Sequence, residues 1–438
     1  MKIAVLGAGI SGLASAWFLQ QKYGSQAEVI VFEKESRAGG WIQTIHQDGF
    51  LFDQGPRSCR ASGTGAATLE LVEALGLRDQ VICSSPSAHT RYVYEGGRLN
   101  RLPGGILPLL ASSWLPVAIK ALWRDWRAPP GTEPDESIAS FIERRLGCEV
   151  VERLIDPLTA GIYAGNVHEL SIRSCFPTFY EWEQTHGSLL KGALAKKKAP
   201  SEASLWVRSI QKNGLFSFKK GMEGLTQALA SRLDVRYGMP VMGLTAEPEG
   251  CRLTFSDGSC FEADRVVSTL PATALSRLLP LMPSLPMASV TVVNLGYRQT
   301  VLKHEGFGYL IPSREKEPLL GVVWDSSVFP QQNAPDQTRL TVMMKADPEK
   351  GDPIDLIKET LGRQMGITAE PAVVAVRHAY QAIPHYPIGY FDNIHAFKQL
   401  CQKGFPRLQL SGTPFHGVSV NDCIHAAGVA SEVCKKSC

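Results

Sequence analysis

Lys2-Ile3-Ala4-Val5-Leu6-Gly7-Ala8-Gly9-Ile10-Ser11-Gly12 follows Met1 and decides how the rest of the chain is read. Residues 3–6 are apolar throughout, the pattern of a short strand buried on both faces. Past the glycines, Ile10, Leu13, Ala14, Trp17 and Phe18 recur at the spacing of one helix face. Residues 28–32 (Glu-Val-Ile-Val-Phe) read as a second strand that ends against Glu33. The G-x-G-x-x-G thus lies between a strand and a helix in a βαβ unit, the context that a dinucleotide site requires. Gly7 permits the tight turn, Gly9 lets the backbone of Ala8, Ile10 and Ser11 approach a pyrophosphate, and Gly12 lets helix and strand close up. The helix N-terminus offers free N–H groups and a partial positive charge to the phosphates. Glu33 is placed to accept hydrogen bonds from a ribose diol, and its charge disfavours a 2′-phosphate.

The 438 residues amount to about three domain lengths. With 45 Lys and Arg against 42 Asp and Glu, the net charge is +3, which argues against a nucleic-acid binder with a broad basic footprint. Hydrophobic residues at 44% and charged residues at 20% fit a folded chain with a large core. No uninterrupted apolar stretch is long enough to span a membrane. Met1-Lys2 is followed by only four apolar residues before Gly7, too few for a secretory signal, and the ten Cys show no metal-site spacing. Cys434 and Cys438 read as part of a frayed end. These features point to a reduced, cytoplasmic protein without a metal.

After Glu33 and Lys34 comes Arg37-Ala38-Gly39-Gly40-Trp41, and then Phe50-Leu51-Phe52-Asp53-Gln54-Gly55-Pro56. This succession resembles the flavin amine-oxidase superfamily, which implies FAD rather than NAD, with Arg37 near the phosphates. Further blocks tighten the resemblance to the protoporphyrinogen oxidase family. They are Ile155-Asp156-Pro157-Leu158-Thr159-Ala160-Gly161-Ile162-Tyr163-Ala164-Gly165, then Glu169-Leu170-Ser171, Phe176-Pro177, Glu183 and Gly187-Ser188-Leu189-Leu190. Gly306-Phe307-Gly308-Tyr309-Leu310-Ile311-Pro312, Leu410-Ser411-Gly412 and Gly417-Val418-Ser419-Val420-Asn421-Asp422-Cys423-Ile424 complete them, so the resemblance runs almost end to end. Two positions depart from the family pattern: Asn166 stands where Asp is usual, and Tyr390 where His is more typical.

The resemblance implies an α/β (α+β) fold: a Rossmann-like FAD-binding domain (1–75, 214–272 and 388–438) interleaved with a mixed-sheet substrate domain (76–103 and 273–387) and a helical, membrane-facing insert (104–213). The residues 216–272 form the third cofactor segment, with residues 218–222 starting a helix, hairpin turns at Glu249-Gly250 and Asp257-Gly258, and a closing Thr269-Leu270-Pro271 turn. By resemblance Val241 meets the adenine end, although alone it reads as core. Gly412 and the stretch Val418-Ser419-Val420 form the flavin's floor, with Ser419 and Asn421 as N-cap candidates for the helix that follows. His416 beside this turn reads as a packed loop residue rather than a base. Residues 384–398 contain no Cys, so the FAD is expected to be non-covalent.

Arg91 matches the family's carboxylate-binding arginine, while Gly161, Phe307, Leu310 and Met343 match positions that line its apolar slot. Without the resemblance, Arg91 reads as a cross-strand surface arginine and the others as core. No general base is named, because positioning in a dry pocket supplies most of what the chemistry requires. The implied reaction is a six-electron oxidation of protoporphyrinogen IX in haem biosynthesis, with dioxygen as acceptor and peroxide as product. Coproporphyrinogen III is the close alternative. An amine oxidase would require an aromatic cage near the C-terminal block, and a flavin-free prenyl-protein carrier would have eroded cofactor motifs. The expected partners are a tetrapyrrole, dioxygen and a second copy in a homodimer. Residues 102–127 are apolar but broken by Pro108, Ser112-Ser113 and Pro116, and end in Trp123-Arg124-Asp125-Trp126-Arg127. That pattern suits a one-sided membrane contact and equally a helix packed on a neighbouring domain. The 196–198 lysine run reads as a polar loop.

Overall fold

The computed structural model describes residues 1–195, 203–346 and 352–433; the 196–198 lysine run, Cys434 and Cys438 lie outside them. The opening segment forms strand β1 (Lys2–Leu6), helix α1 (Ile10–Tyr23) and strand β2 (Glu28–Phe32). In a five-stranded parallel sheet β1 lies between β2 and Arg265–Ser268, with Asp234–Arg236 and Leu408–Leu410 at the edges. Both faces of β1 are covered. Ile3 and Val5 pack with Leu13 and Ala14 of α1 and Ile424 of the Val420–Val433 helix. Ala4 and Leu6 face Leu253 and Phe255 of the three-stranded sheet 241–263 and Leu275 of the Ala272–Leu278 helix. Burial on both sides is why the strand is uniformly apolar.

A second, seven-stranded sheet runs in the order Val373–Pro384, Met287–Tyr297, Thr338–Lys345, Leu319–Val323, Gly308–Leu310, Tyr92–Glu95 and Arg98–Arg101. Its neighbours are antiparallel except Gly308–Leu310 beside Tyr92–Glu95. Between Arg101 and Leu215 the described elements are all helices. This insert is held by a buried ion cluster: Arg145 pairs with Glu183 and Asp125 and donates to the carbonyls of Ala128 and Gly187. Asp125 in turn accepts from Ser188 Oγ and the N–H groups of Leu189 and Leu190, capping the Leu189–Ala195 helix.

Two local expectations are corrected. Residues 218–222 do not start a helix: Leu215–Phe218 is a strand, Gly221 turns the chain at φ +86°, and the helix runs Glu223–Ala230. Strand pairing to Cys59–Arg60 and Val81–Cys83, far away in sequence, overrides the local pattern. Asn421 is not an N-cap. Its side chain accepts from Thr68 Oγ1 at 2.7 Å and donates to the Arg60 carbonyl at 2.9 Å, whereas Ser419 Oγ does accept from the Asp422 N–H at 3.1 Å. In the insert, Pro108 lies within a short helix, Ile106–Leu110, and Pro116 in the first turn of Leu115–Arg127.

Candidate functional site

Three chain segments meet at the C-terminal ends of β1 and its parallel neighbours. Gly7 leaves β1 at φ +96°, and a Cβ there would press on Thr269 Oγ1 at 3.2 Å. Thr269 bonds back to the Leu6 carbonyl through both its N–H (3.0 Å) and its hydroxyl (2.8 Å). Gly412, at φ +93°, brings the third segment against the Thr269 carbonyl. A Cβ on Gly12 would drive into the Gly7 carbonyl, so helix and turn are as close as the sequence predicts.

Gly9 is different: nothing lies within 4 Å of where its Cβ would be. Gly9 bridges to Gly39, and Gly39 N–H donates to the Ala8 carbonyl at 2.8 Å. A Cβ on Gly40 would approach Gly9 Cα at 3.2 Å, so the second glycine pair packs directly against Gly9 at the N-terminus of α1. An open cradle at a helix start, free of side chains, fits a pyrophosphate. Ile10 and Ser11, the first residues of α1, are buried.

Glu33 is 8% exposed and accepts from the N–H of Ala8 (Oε2, 2.7 Å) and of Glu35 (Oε1, 2.9 Å). A carboxylate has about four acceptor positions, so two backbone donors leave room for a ribose diol. The connection into Val241 runs alongside: Met239 N–H donates to the Glu33 carbonyl at 2.8 Å and Gly238 N–H to that of Glu35 at 3.2 Å. Lys34 is exposed and pairs with Glu35. Arg37 donates to the carbonyls of Ala38, Gly40 and Ile42, so its charge shapes the glycine loop. Trp41 stacks under Arg377, which also donates to the carbonyls of Trp41 and Gln54. Gly55, before Pro56, meets the Trp41 carbonyl so closely that a Cβ there would collide with it.

At the third segment, Gly417 (φ +102°) and Val418 lead into the Ser419-capped helix that starts at Val420. His416 is not a packed loop residue: it ends the short Thr413–His416 helix with its side chain exposed, and partial loss of hydration, followed by the charges of Lys398 and His425, draws its imidazole below the ordinary range. Asp53 accepts from Thr44 Oγ1 (2.5 Å) and the Met222 N–H (3.0 Å). Burial outweighs these bonds and raises its carboxyl to about 6.

The residues matched to the substrate slot fall into two touching groups. The Arg91 guanidinium sits 5.4 Å from the centre of the Phe307 ring, and Phe307, Met343 and Leu215 each pack against one buried cluster that contains Val323 and Phe329. Three residues along from Phe307, Leu310 lies where a Cβ on Gly161 would meet it at 2.7 Å. The parallel pairing of Gly308–Leu310 with Tyr92–Glu95 ties the two groups together. Sequence reading missed Tyr386, whose hydroxyl donates to the Thr413 carbonyl, and the link between Arg57 and Asp325 (3.4 Å). Each joins distant segments and leaves no local pattern.

The family model described as flavin containing amine oxidoreductase matches residues 10–434. The chain is 37% identical to a protoporphyrinogen oxidase of Bos taurus, over 98% of this chain and 97% of that one. It is 29% identical to a coproporphyrinogen III oxidase of Bacillus subtilis, over 96% and 95%. Among solved structures, a protein of Exiguobacterium sp. 255-15 superposes with a TM-score of 0.83 at 24% identity, covering 100% of this chain and 99% of its own. Cyclohexylamine oxidase of Brevibacterium oxydans shares the fold at a TM-score of 0.71 and 16% identity, covering 99% and 98%. The chain belongs to the flavin containing amine oxidoreductases and, within them, to the protoporphyrinogen oxidase family.

Proposed function

We propose that this enzyme binds FAD without a covalent link and oxidises protoporphyrinogen IX to protoporphyrin IX. Two observations support the reading: open space at Gly9 beside the start of α1, and apolar residues Phe307, Leu310 and Met343 in the second sheet, with Arg91 over the Phe307 ring. Gly7 to Gly12, Glu33, Gly39 and Gly40 would hold the dinucleotide, and Thr269, Gly412 and Val418 to Val420 the flavin end. When bound, the flavin supplies two-electron redox chemistry, so that a porphyrinogen gives up six electrons in three rounds to dioxygen, with hydrogen peroxide as product. The chain's own part is to hold the macrocycle. Arg91 grips a carboxylate arm and the apolar wall excludes water. Segments 1–75, 214–272 and 388–438 serve the cofactor and 76–103 with 273–387 the substrate.

Coproporphyrinogen III is a second reading, favoured by the Bacillus subtilis relative. An amine substrate is disfavoured: Tyr386 and Tyr390, the tyrosines nearest the C-terminal block in sequence, are buried with their hydroxyls on the 413–414 backbone. We also propose that the insert rests on a membrane. Among the described residues no helix is long and apolar enough to cross one, but Ile119, Leu122, Trp123 and Trp126 stand exposed on one helix. Anaerobic mixing with each porphyrinogen tests the substrate: bleaching of the flavin band supports the reading, and no bleaching by either sinks it.

A further inference from the structure

Arg60 follows buried Cys59 in a two-residue strand, so strand alternation turns its side chain away from the core that takes Cys59. Arg60 is paired with Leu215 across the ladder, and paired residues share a face. Leu215 packs against the cluster that includes Phe307 and Met343, and Arg91 lies over the Phe307 ring. Two arginines therefore border one apolar wall. Neither makes a side-chain hydrogen bond or ion pair among the described residues, in contrast to Arg57, which is neutralised by Asp325. Loss of hydration, followed by the charge of Arg60, draws Arg91 below its ordinary range, so the two cations feel each other. Like charges held together without an acid form a ready receptor for anions.

The backbone of Arg60 is firmly placed. Its carbonyl accepts from Asn421 Nδ2 at 2.9 Å, and Gly65 packs against the same carbonyl so tightly that a Cβ there would collide with it. Asn421 is the second residue of the helix that begins at Val420. The position of Arg60 is thus fixed to the helix start assigned to the flavin floor.

We infer that Arg60 and Arg91 form a paired-cation site that takes two neighbouring carboxylate arms of one substrate edge. The inference deepens the reading of the enzyme as a porphyrinogen oxidase and rests on it. A single arginine recognises one arm; the pair selects a disc that carries two arms side by side. A tetracarboxylate still presents such an edge, whereas a monoester presents only half of it.

Fluorescence titration of the FAD-loaded enzyme with protoporphyrin IX and with its monomethyl ester tests this. The wild type is expected to favour the diacid by about ten-fold or more. Arg60→Ala should lose about that factor for the diacid and no longer distinguish it from the monoester, with the flavin spectrum and melting temperature unchanged. Arg60→Lys should recover part of the loss. If Arg60→Ala binds the diacid as tightly as the wild type does, the paired site is wrong while the oxidase reading stands. If the wild type binds neither compound and no porphyrinogen bleaches its flavin, both fall together.

Discussion

The phenolic hydroxyl of Tyr386 donates to the carbonyl of Thr413 at 2.5 Å, and the Tyr390 hydroxyl donates to the next carbonyl, that of Pro414, at 3.1 Å. The two rings touch at 5.5 Å, and Tyr163 of the insert meets Tyr386 edge-on at 6.3 Å. The segment between Gly412 and Gly417 is thereby hung from Tyr386 and from the first residue of the Tyr390–Gly404 helix. Tyr390, a departure from the family's sequence pattern, has its own part in this.

Removing either hydroxyl should loosen the turn without unfolding the protein. Tyr386→Phe or Tyr390→Phe leaves a carbonyl short of a donor, at a cost of about 1 kcal/mol. FAD titrated into apoprotein should then bind roughly five-fold more weakly. An unaltered dissociation constant would separate the tyrosines from the flavin floor.

The glycines of the opening motif should fail in two different ways. Gly9→Ala has room for its Cβ, so the protein should fold with a normal melting temperature but purify with little flavin absorbance. Gly12→Ala meets the Gly7 carbonyl and should lower the melting temperature sharply. If Gly9→Ala retains a full complement of flavin, the phosphates do not lie at Gly9.

Asp53 makes stability depend on pH. Its carboxyl rises from 3.8 to about 6, so the folded state holds a proton that the unfolded chain has released. Stability from this group is highest below pH 4 and falls as pH rises through 6, by about 3 kcal/mol in all. Both bonds to Asp53 end on Oδ1, which Asn also offers. Asp53→Asn should therefore gain on the wild type between pH 4 and pH 7.5 in paired melting curves. A difference that stays constant with pH would show that Asp53 is not the titrating group.

For Arg91, steady-state kinetics separate grip from chemistry. Arg91→Ala should raise KM for protoporphyrinogen at least ten-fold with the flavin spectrum unchanged. An unmoved KM removes Arg91 from the site.

Trp123 and Trp126 are 60% and 62% exposed, with Arg127 over one ring and Lys191 over the other. Replacing both by Ala should reduce sedimentation with anionic phospholipid vesicles several-fold and leave the melting temperature unchanged. Equal sedimentation of variant and parent would rule out this surface as the membrane contact.

What the sequence made legible was what the backbone does locally. The turn at Gly7, the close approach at Gly12 and the acidic residue ending β2 are all within one βαβ unit, where spacing alone fixes geometry. The partners of Glu33 were less legible, because its bond to the Ala8 N–H spans twenty-five residues. Arg60, Tyr386 and the ladder 215–218 could not be read at all, since each acquires its meaning from a segment more than twenty residues away. The misplaced start of the helix that carries Leu225 and Leu229 has the same origin: strand pairing holds the chain extended up to Phe218, and the turn at Gly221 delays the helix to Glu223.

With the cofactor site proposed above, the parallel sheet also sets when this enzyme can become yellow. Its central strand leaves the ribosome first, but the neighbour that completes the cradle, Leu408–Leu410, and the turn at Gly412 emerge only after some four hundred more residues have been synthesised. Until then the nascent chain has a phosphate turn with no floor. Flavin loading is then expected to be a late event in the life of each molecule, and a chain cut short before residue 408 should stay colourless, however well its first strands have folded.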